Sequence, residues 1–468
     1  MGRTMFAKLW DQHLVTDLGA GTGLVLIDRI LLHERTGGVA LQSLAAANRT
    51  VAHPAQAFAT MDHVVDTRPG RTDDCLVPSG RDFITATRSA VRAAGITLFD
   101  LGDPGQGIVH VISPEQGIVL PGLTLVCPDS HTCSQGAIGA LAWGIGSTEA
   151  EHALATGTLR VTRPKTMRIT IHGTLATGVT AKDLALHIIA RHGAGGGKGH
   201  IVEYAGACVR ALDVEARLTV CNMAAEFGAF SAIIAPDDRV YDYLRGRPYA
   251  PKGLAWDAAV AHWRTLPSDA DAVFDTEIEI QAGDVLPMVS WGTSPGQAIA
   301  IDAAVPVSPV ANDAIETHDR ALAYTGLTAG QTLAGSAIDA AFIGSCTNGR
   351  LSDLRRAAAI LDGRHVADGV RAICVPGSSA VKAAAEAEGL DRIFLAAGFE
   401  WREAGCSMCF FAGGESFGPQ QRVITSTNRN FESRQGPGTR SHLASPETVA
   451  ASAIAGRIAD PRGLAARQ

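Results

Sequence analysis

The sequence is poor in aromatic residues (5%) and in charged ones (19%), and no run of lysine or arginine exceeds two residues. With 40 basic against 47 acidic side chains the formal net charge is −7. An acidic chain without a basic stripe carries no electrostatic footprint for nucleic acid. Long apolar runs are also missing, since Gly, Asp or Arg interrupts each one well short of a membrane-spanning length. The opening residues, Met1 to Trp10, contain no uninterrupted apolar core of a secretory signal. Phe6 occupies a position where a myristoylation pattern needs Ser or Thr. Nine cysteines, an odd number without a leader, are expected as reduced thiols of a cytoplasmic protein. Two glycine-rich stretches carry no nucleotide site: 193–199 lacks the P-loop spacing, and 19–23 lacks the final glycine of a dinucleotide fingerprint.

What is present points to layered α/β structure. A chain of 468 residues exceeds one compact core. Its 51 glycines and its strand–loop–helix rhythm suit doubly wound sheets whose strands end in functional loops. Helices are expected over 5–13, 83–94, 135–154, 181–191, 351–361, 379–388 and 446–458. Strands are expected over 96–101, 108–112, 123–127, 167–171, 338–344, 370–375 and 421–426. The Pro/Ser/Val-rich segment 302–311 reads as a linker, which gives three domains over 1–165, 166–305 and 306–468.

The chemistry-bearing residues gather in a few motifs. Cys346 stands in Gly344-Ser345-Cys346-Thr347-Asn348, where an apolar strand stops at a turn, and Cys406 and Cys409 form a Cys-x-x-Cys. Three thiolates without an obvious fourth suit an iron–sulfur cluster with one open iron, or a zinc ion with a free position. The Cys-x-x-Cys by itself fits half a structural zinc site or a redox pair equally well. The other six cysteines are expected to pack as small apolar residues.

Acid–imidazole clusters recur along the chain: Asp62-His63, His110 after Gly107-Ile-Val, Asp129-Ser130-His131 behind a strand, and Glu203 after Ile-Val. A lone buried histidine or glutamate is ordinarily a satisfied structural group. Four such clusters at strand ends or turns favour general acid–base work, where a carboxylate fixes the tautomer and basicity of the imidazole. Arg429 and Arg434, five residues apart, read either as a solvated loop or as a clamp for carboxylates.

These motifs, taken in order, resemble the aconitase superfamily. They are Met-Asp-His at 61–63, Asp-Ser-His-Thr at 129–132, Ile-Val-Glu-Tyr at 201–204, Gly-Ser-Cys-Thr-Asn at 344–348, Gly-Cys-Ser-Met-Cys at 405–409 and Asn-Arg-Asn-Phe-x-x-Arg at 428–434. The likeness extends to Phe58–His63, Gly107–His110, Pro114–Gly117, Cys221–Met223 and Trp291–Gln297, and is strongest toward the isopropylmalate dehydratases, whose large and small subunits are separate chains.

The resemblance implies three α/β/α-layered domains around a central [4Fe-4S] cluster, without the fourth, swivelling domain of single-chain members. Cys346, Cys406 and Cys409 would hold the cluster. Asp62 would pair with His63, the acid for the leaving hydroxyl, Asp129 with His110, and Glu203 with His131, with Ser130 in the same loop. Asn348, Asn428, Arg429 and Arg434 would hold the cluster and the substrate carboxylates. The activity implied is that of a hydro-lyase isomerising 2- and 3-isopropylmalate by dehydration and rehydration in leucine biosynthesis, or of a related one acting on another 2-alkylmalate or on a citraconate-, maleate- or homoaconitate-type acid. The rival of another class is a non-catalytic cluster-binding regulator. A small subunit would complete a heterodimer or larger hetero-oligomer and bring the serine base. Neither nucleic acid nor membrane is an expected partner. Gly349, Phe410-Phe411 and Pro128 depart from the family pattern around otherwise intact ligand motifs.

Overall fold

The protein, described by a computed structural model over residues 2–307, 312–411 and 414–464, is an α/β chain. It divides into two compact units, each assembled from three stretches. The first comprises Met1–Val64, Ser79–Thr174 and Gly197–Gln281, and the second Val65–Pro78, Leu175–Gly196 and Ala282–Gln468. Residues 308–311 of the expected linker lie outside the described residues. Among those described, no helix is long and apolar enough to cross a membrane.

The first unit is built on a five-stranded parallel sheet in the spatial order Thr97–Phe99, Ala57–Thr60, Arg29–His33, Thr124–Cys127, Leu141–Gly144. Ala57–Thr60 and Thr124–Cys127 are buried at every position. Such continuous runs belong to strands covered on both faces. A four-stranded parallel sheet orders Ser231–Ile233, His200–Ala205, Lys165–His172 and Thr276–Gln281. An antiparallel ribbon of Leu14–Gly19, Thr22–Leu26 and Thr158–Thr162 completes the sheets of this unit.

The second unit carries a five-stranded parallel sheet ordered Phe399–Trp401, Arg371–Cys374, Ala340–Ile343, Arg422–Thr425, Arg440–Leu443. Its core joins Phe342, Ile373, Val375, Met408, Phe417 and Val423. Burying each of the larger side chains stabilises the unit by about 1.5–3 kcal/mol. The two five-stranded sheets share one winding. The chain enters at the central strand, steps out to one edge, then returns to fill the other side. The carboxyl ends beside the central strand are the topological switch point, where ligands bind in open α/β sheets.

Two expectations fail, both for local reasons. Residues 108–112 form the start of the helix Val109–Gln116 instead of a strand, and the N–H of Val109 is capped by the Asp62 carboxylate at 2.8 Å. A short apolar run buried all round gives no period by which helix and strand can be told apart. The expected helix over 135–154 is instead a 3-10 segment, Ser130–Ile138, the strand Leu141–Gly144 and the helix Ser147–Thr156. Gly139, at φ 91°, breaks the run. Gly136 lets the 3-10 segment lie against the second sheet, since a Cβ there would sit 1.7 Å from the Ala232 carbonyl oxygen. The remaining expected helices and strands lie within a few residues of observed elements.

His442, fully buried on Arg440–Leu443, yields a prediction of pH dependence. Its Nδ1 meets the Ser290 carbonyl at 2.7 Å and its Nε2 meets Arg422 Nη1 at 2.7 Å. The carbonyl demands a donor and the guanidinium an acceptor, so the ring is neutral with its proton on Nδ1. Burial and the Arg422 charge push it down from 6.5 to about 3. The folded state therefore binds fewer protons than the unfolded one between these values, so the contribution is present above 6.5 and lost as pH falls. Each group of this kind removes roughly 1.4 kcal/mol of stability per pH unit inside the window. Urea melts between pH 6.5 and 4.5 should have a shallower pH slope for His442→Asn than for the unsubstituted chain, and equal slopes would refute the assignment.

Candidate active site

In the first unit, three adjacent parallel strands deliver ionisable groups at their carboxyl ends. Arg29–His33 ends on His33-Glu34, Ala57–Thr60 leads to Asp62-His63, and Thr124–Cys127 leads to Asp129-Ser130-His131. Asp62 Oδ1 lies 2.5 Å from His63 Nδ1. His63 Nε2 lies 3.4 Å from Asp129 Oδ2. His110, on the helix that Asp62 caps, meets Asp129 Oδ1 through Nε2 at 2.9 Å. The same carboxylate accepts the N–H of His131 at 2.8 Å. Ser130 is exposed, with its Oγ 3.4 Å from His131 Nδ1. Burial opposes ionisation of Asp129, but hydrogen bonds from His110, His131 and His63 outweigh it and hold the carboxyl well below the usual range. Burial likewise opposes ionisation of Asp62, and the His63 charge and hydrogen bond bring that carboxyl below its ordinary value. The pairings expected for His63 and His110 are thus present as contacts.

The pairing expected for His131 is not. Its Nε2 meets Glu226 Oε1 at 2.9 Å. Glu203, on His200–Ala205, instead accepts the Ser268 hydroxyl at 2.7 Å, and burial raises its pKa. A carboxylate's place in sequence does not reveal its partner across 95 residues. Glu226 lies three residues beyond Cys221-Asn222-Met223, which already stood among the resembling segments, so the neighbouring acid was findable.

Two further groups escaped the reading of the sequence. The rings of His33 and His63 stack with centroids 3.9 Å apart and planes 18° from parallel. His33 Nε2 faces the Pro128 carbonyl at 3.3 Å, and burial together with the charge of His63 pushes its pKa down to about 4, leaving it neutral. Glu34, 0% exposed, accepts the N–H of Asp62 at 3.0 Å, of His63 at 2.7 Å, and of Val64. Its carboxylate clasps the turn that carries Asp62 and His63. Burial raises its pKa, with the Asp62 charge adding to the rise. The signal was an acid–histidine pair at the end of an apolar strand, the same signature that marks Asp62-His63.

The second unit repeats the scheme with thiols. Ala340–Ile343, the central strand, runs into Cys346 through Ser345 at φ 80°. Phe399–Trp401 leads to Cys406 and Cys409, with Ser407 between them at φ 47°. Non-glycine residues in the left-handed region cost of order 1–3 kcal/mol and cluster where geometry serves function. The Cys409 N–H donates to the Cys406 carbonyl at 2.9 Å, and Thr67 Oγ1 donates to Ser407 Oγ at 2.8 Å.

Asn428, just past Arg422–Thr425, touches two of the sulfurs. Its Nδ2 is 3.5 Å from Cys346 Sγ and its Oδ1 3.9 Å from Cys409 Sγ. Arg434 Nη2 is 3.9 Å from Cys409 Sγ, and the guanidinium lies 5.1 Å from the Phe410 ring centre and 5.0 Å from that of Phe431. Asn348 donates to Asp353 at 3.1 Å, and Arg429 is half-buried. Gly349, one of the departures, is closely hemmed by backbone: a Cβ would lie 3.0 Å from the Ser345 carbonyl oxygen.

None of the nine cysteines is disulfide-bonded, and the three of the motif keep only 6–7% exposure. Of the six expected to pack as apolar residues, five are buried and Cys75 is half-buried. Among the described residues, the only group of three or more His, Cys, Asp or Glu ligand atoms within 4.8 Å of each other is His33, Glu34, Asp62 and His63, all held by the contacts above. Three buried thiols at the carboxyl ends of parallel strands are a donor set that suits an iron–sulfur cluster.

The chain has relatives among known proteins. The model of the aconitase family (aconitate hydratase) matches residues 7–456. The chain is also 52% identical, over 468 residues, to the 3-isopropylmalate dehydratase large subunit 1 of Bradyrhizobium diazoefficiens, an alignment covering 99% of this chain and 97% of that protein. Thiols and histidine–carboxylate pairs at the switch points of doubly wound sheets, within a match spanning nearly all of the sequence, make this chain a member of the aconitase family.

Proposed function

We propose that the chain is the large subunit of a cytoplasmic hydro-lyase that interconverts 2- and 3-isopropylmalate by dehydration and rehydration, in leucine biosynthesis. The observation that carries this reading is the 52% identity, over 99% of the chain, to a 3-isopropylmalate dehydratase large subunit. A separate small subunit, implied by that relative's name, completes the enzyme and brings the base that removes the carbon-bound proton.

Cys346, Cys406 and Cys409 are the ligands of a [4Fe-4S] cluster in this reading. Their burial and their contacts with Asn428 and Arg434 support it. When bound, the cluster supplies Lewis acidity for C–O cleavage without net redox change. The protein's own groups handle protons and charge. His63, its Nδ1 side held by Asp62, presents Nε2 as the acid for the departing hydroxyl. His110 and His131, oriented by Asp129 and Glu226, order the water that leaves and returns. Arg429 and Arg434 bind substrate carboxylates, and the rings of Phe410 and Phe431 limit the orientations open to the Arg434 guanidinium.

The test is anaerobic purification with the small subunit, iron and sulfide analysis, and ultraviolet detection of the unsaturated acid formed from isopropylmalate. Turnover of citraconate or maleate with none of isopropylmalate would move the assignment to another acid, and absence of iron would remove the cluster. A second measurement separates the two glutamates. Glu226→Gln should lower kcat by roughly 10–100-fold, the loss typical of removing a partner that orients a working imidazole. Glu203→Gln should keep kcat within about two-fold, because its partner is a serine hydroxyl. The reverse ranking would restore Glu203 to the site.

A further inference from the structure

Lys182 and Arg350, both in the second unit, have almost no solvent to hydrate them. Lys182 is 0% exposed and Arg350 2%, and among the described residues no other lysine is buried. An unhydrated ammonium or guanidinium is costly unless opposite charge or aligned dipoles replace the water. Hydrogen bonds from both cations reach the same region, and the Lys182 charge also acts on the neighbouring Asp183 carboxyl. Lys182 Nζ donates to the carbonyls of Ser426, at 3.0 Å, and Thr427. Those two residues join the strand Arg422–Thr425 to Asn428. Arg350 Nη1 donates at 3.1 Å to the carbonyl of Thr347, the residue after Cys346. Each buried cation thus grips one of two turns, and the turns carry Cys346 and the Asn428 amide that touches the sulfurs of Cys346 and Cys409.

The position of Lys182 makes a purely structural role less economical. It is the second residue of the helix Ala181–His192, where the helix dipole disfavours a cation. The helix start is already secured without it. Thr180 Oγ1 accepts the N–H groups of Lys182 and Asp183, and Asp183 accepts the Thr180 N–H at 2.9 Å and the Met288 N–H at 2.8 Å. A neutral side chain would serve the cap equally well.

We propose that Lys182 and Arg350 form a buried cationic seat for the iron–sulfur cluster on Cys346, Cys406 and Cys409. They are positioning residues that hold the turns bearing Cys346 and Asn428 and offset the negative charge of three thiolates. The inference rests on the cluster reading above. The potential of such a cluster depends on net charge and on hydrogen bonding around it. Loss of one buried positive charge disfavours the more negative, reduced form.

The experiment compares the full chain with Lys182→Met, Lys182→Gln and Lys182→Arg after anaerobic reconstitution with ferrous iron and sulfide. Circular dichroism of each apo-protein first establishes that it is folded. The unsubstituted chain and Lys182→Arg should fill equally. The neutral variants should retain about a tenth of the iron or less under limiting iron, a loss typical of removing a group that supports metal ligands. Where they do fill, their midpoint potential, followed by electron paramagnetic resonance, should be more negative. Neutral variants that fill fully at an unchanged potential overturn the proposal. If Lys182→Met does not fold, Lys182→Gln is read in the same way. If neither folds, a Lys182→Arg protein differing from the unsubstituted chain in iron content or potential overturns it, and an identical one supports it. An unsubstituted chain that takes up no iron refutes the cluster reading, and the seat with it.

Discussion

Cys409→Ser is expected to lose the cluster and, with it, nearly all dehydratase activity. Its sulfur lies 3.9 Å from both Asn428 Oδ1 and Arg434 Nη2 and 3.3 Å from Ser345 Oγ, so the side chain is buried among groups that a serine hydroxyl can still contact. The fold should therefore survive while ligation fails. A metal centre acting as a Lewis acid contributes several kcal/mol to such a reaction, which corresponds to a fall in kcat of roughly 10³-fold. Iron and sulfide should drop in parallel, with the apo-protein's thermal unfolding close to that of the unsubstituted chain. A Cys409→Ser protein with full iron and full activity would remove this residue from the ligand set. The same substitution at Cys374, a buried thiol on the strand Arg371–Cys374, should leave iron content unchanged.

The second large effect is expected at His63. His63→Gln should lower kcat by about 10²–10⁴-fold, the contribution typical of a positioned general acid, with KM shifting far less. Iron content should stay at the level of the unsubstituted chain, because His63 belongs to the first unit and the cysteines to the second. Asp62→Asn should fall between the two. Its amide can still face Nδ1, but it cannot hold the charge that stabilises an imidazolium, and its Oδ2 also caps the helix that carries His110. A His63→Gln enzyme with an unaltered kcat would move the acid role to His110 or His131.

The same contacts explain why parts of the site were legible before any fold was known and others were not. Asp62 and His63 are chain neighbours, so local sequence determines that they can meet. The Cys-x-x-Cys is legible for the same reason, since two intervening residues hold both thiols near one centre. The buried strands announced themselves by apolar runs, and the helices Met5–His13, Ala181–His192 and Leu351–Leu361 by their periodicity and, for the second, the capping Thr180.

Only the tertiary structure decided which carboxylate serves which histidine. His131 and Glu226 are 95 residues apart, and the winding of the first unit, not their spacing, puts Nε2 and Oε1 at 2.9 Å. Likewise Asn428 reaches Cys346 because Arg422–Thr425 pairs beside Ala340–Ile343 in a parallel sheet, with both carboxyl ends on one edge. Lys182 could not be distinguished from a solvated helix residue until its ammonium was found buried on two carbonyls 244 and 245 residues away. Residue types and short spacings determined the chemistry available to this chain. Sheet order determined the partners, because hydrogen bonds at about 3 Å depend on which strand ends lie side by side, and long-range pairing leaves no mark on local sequence.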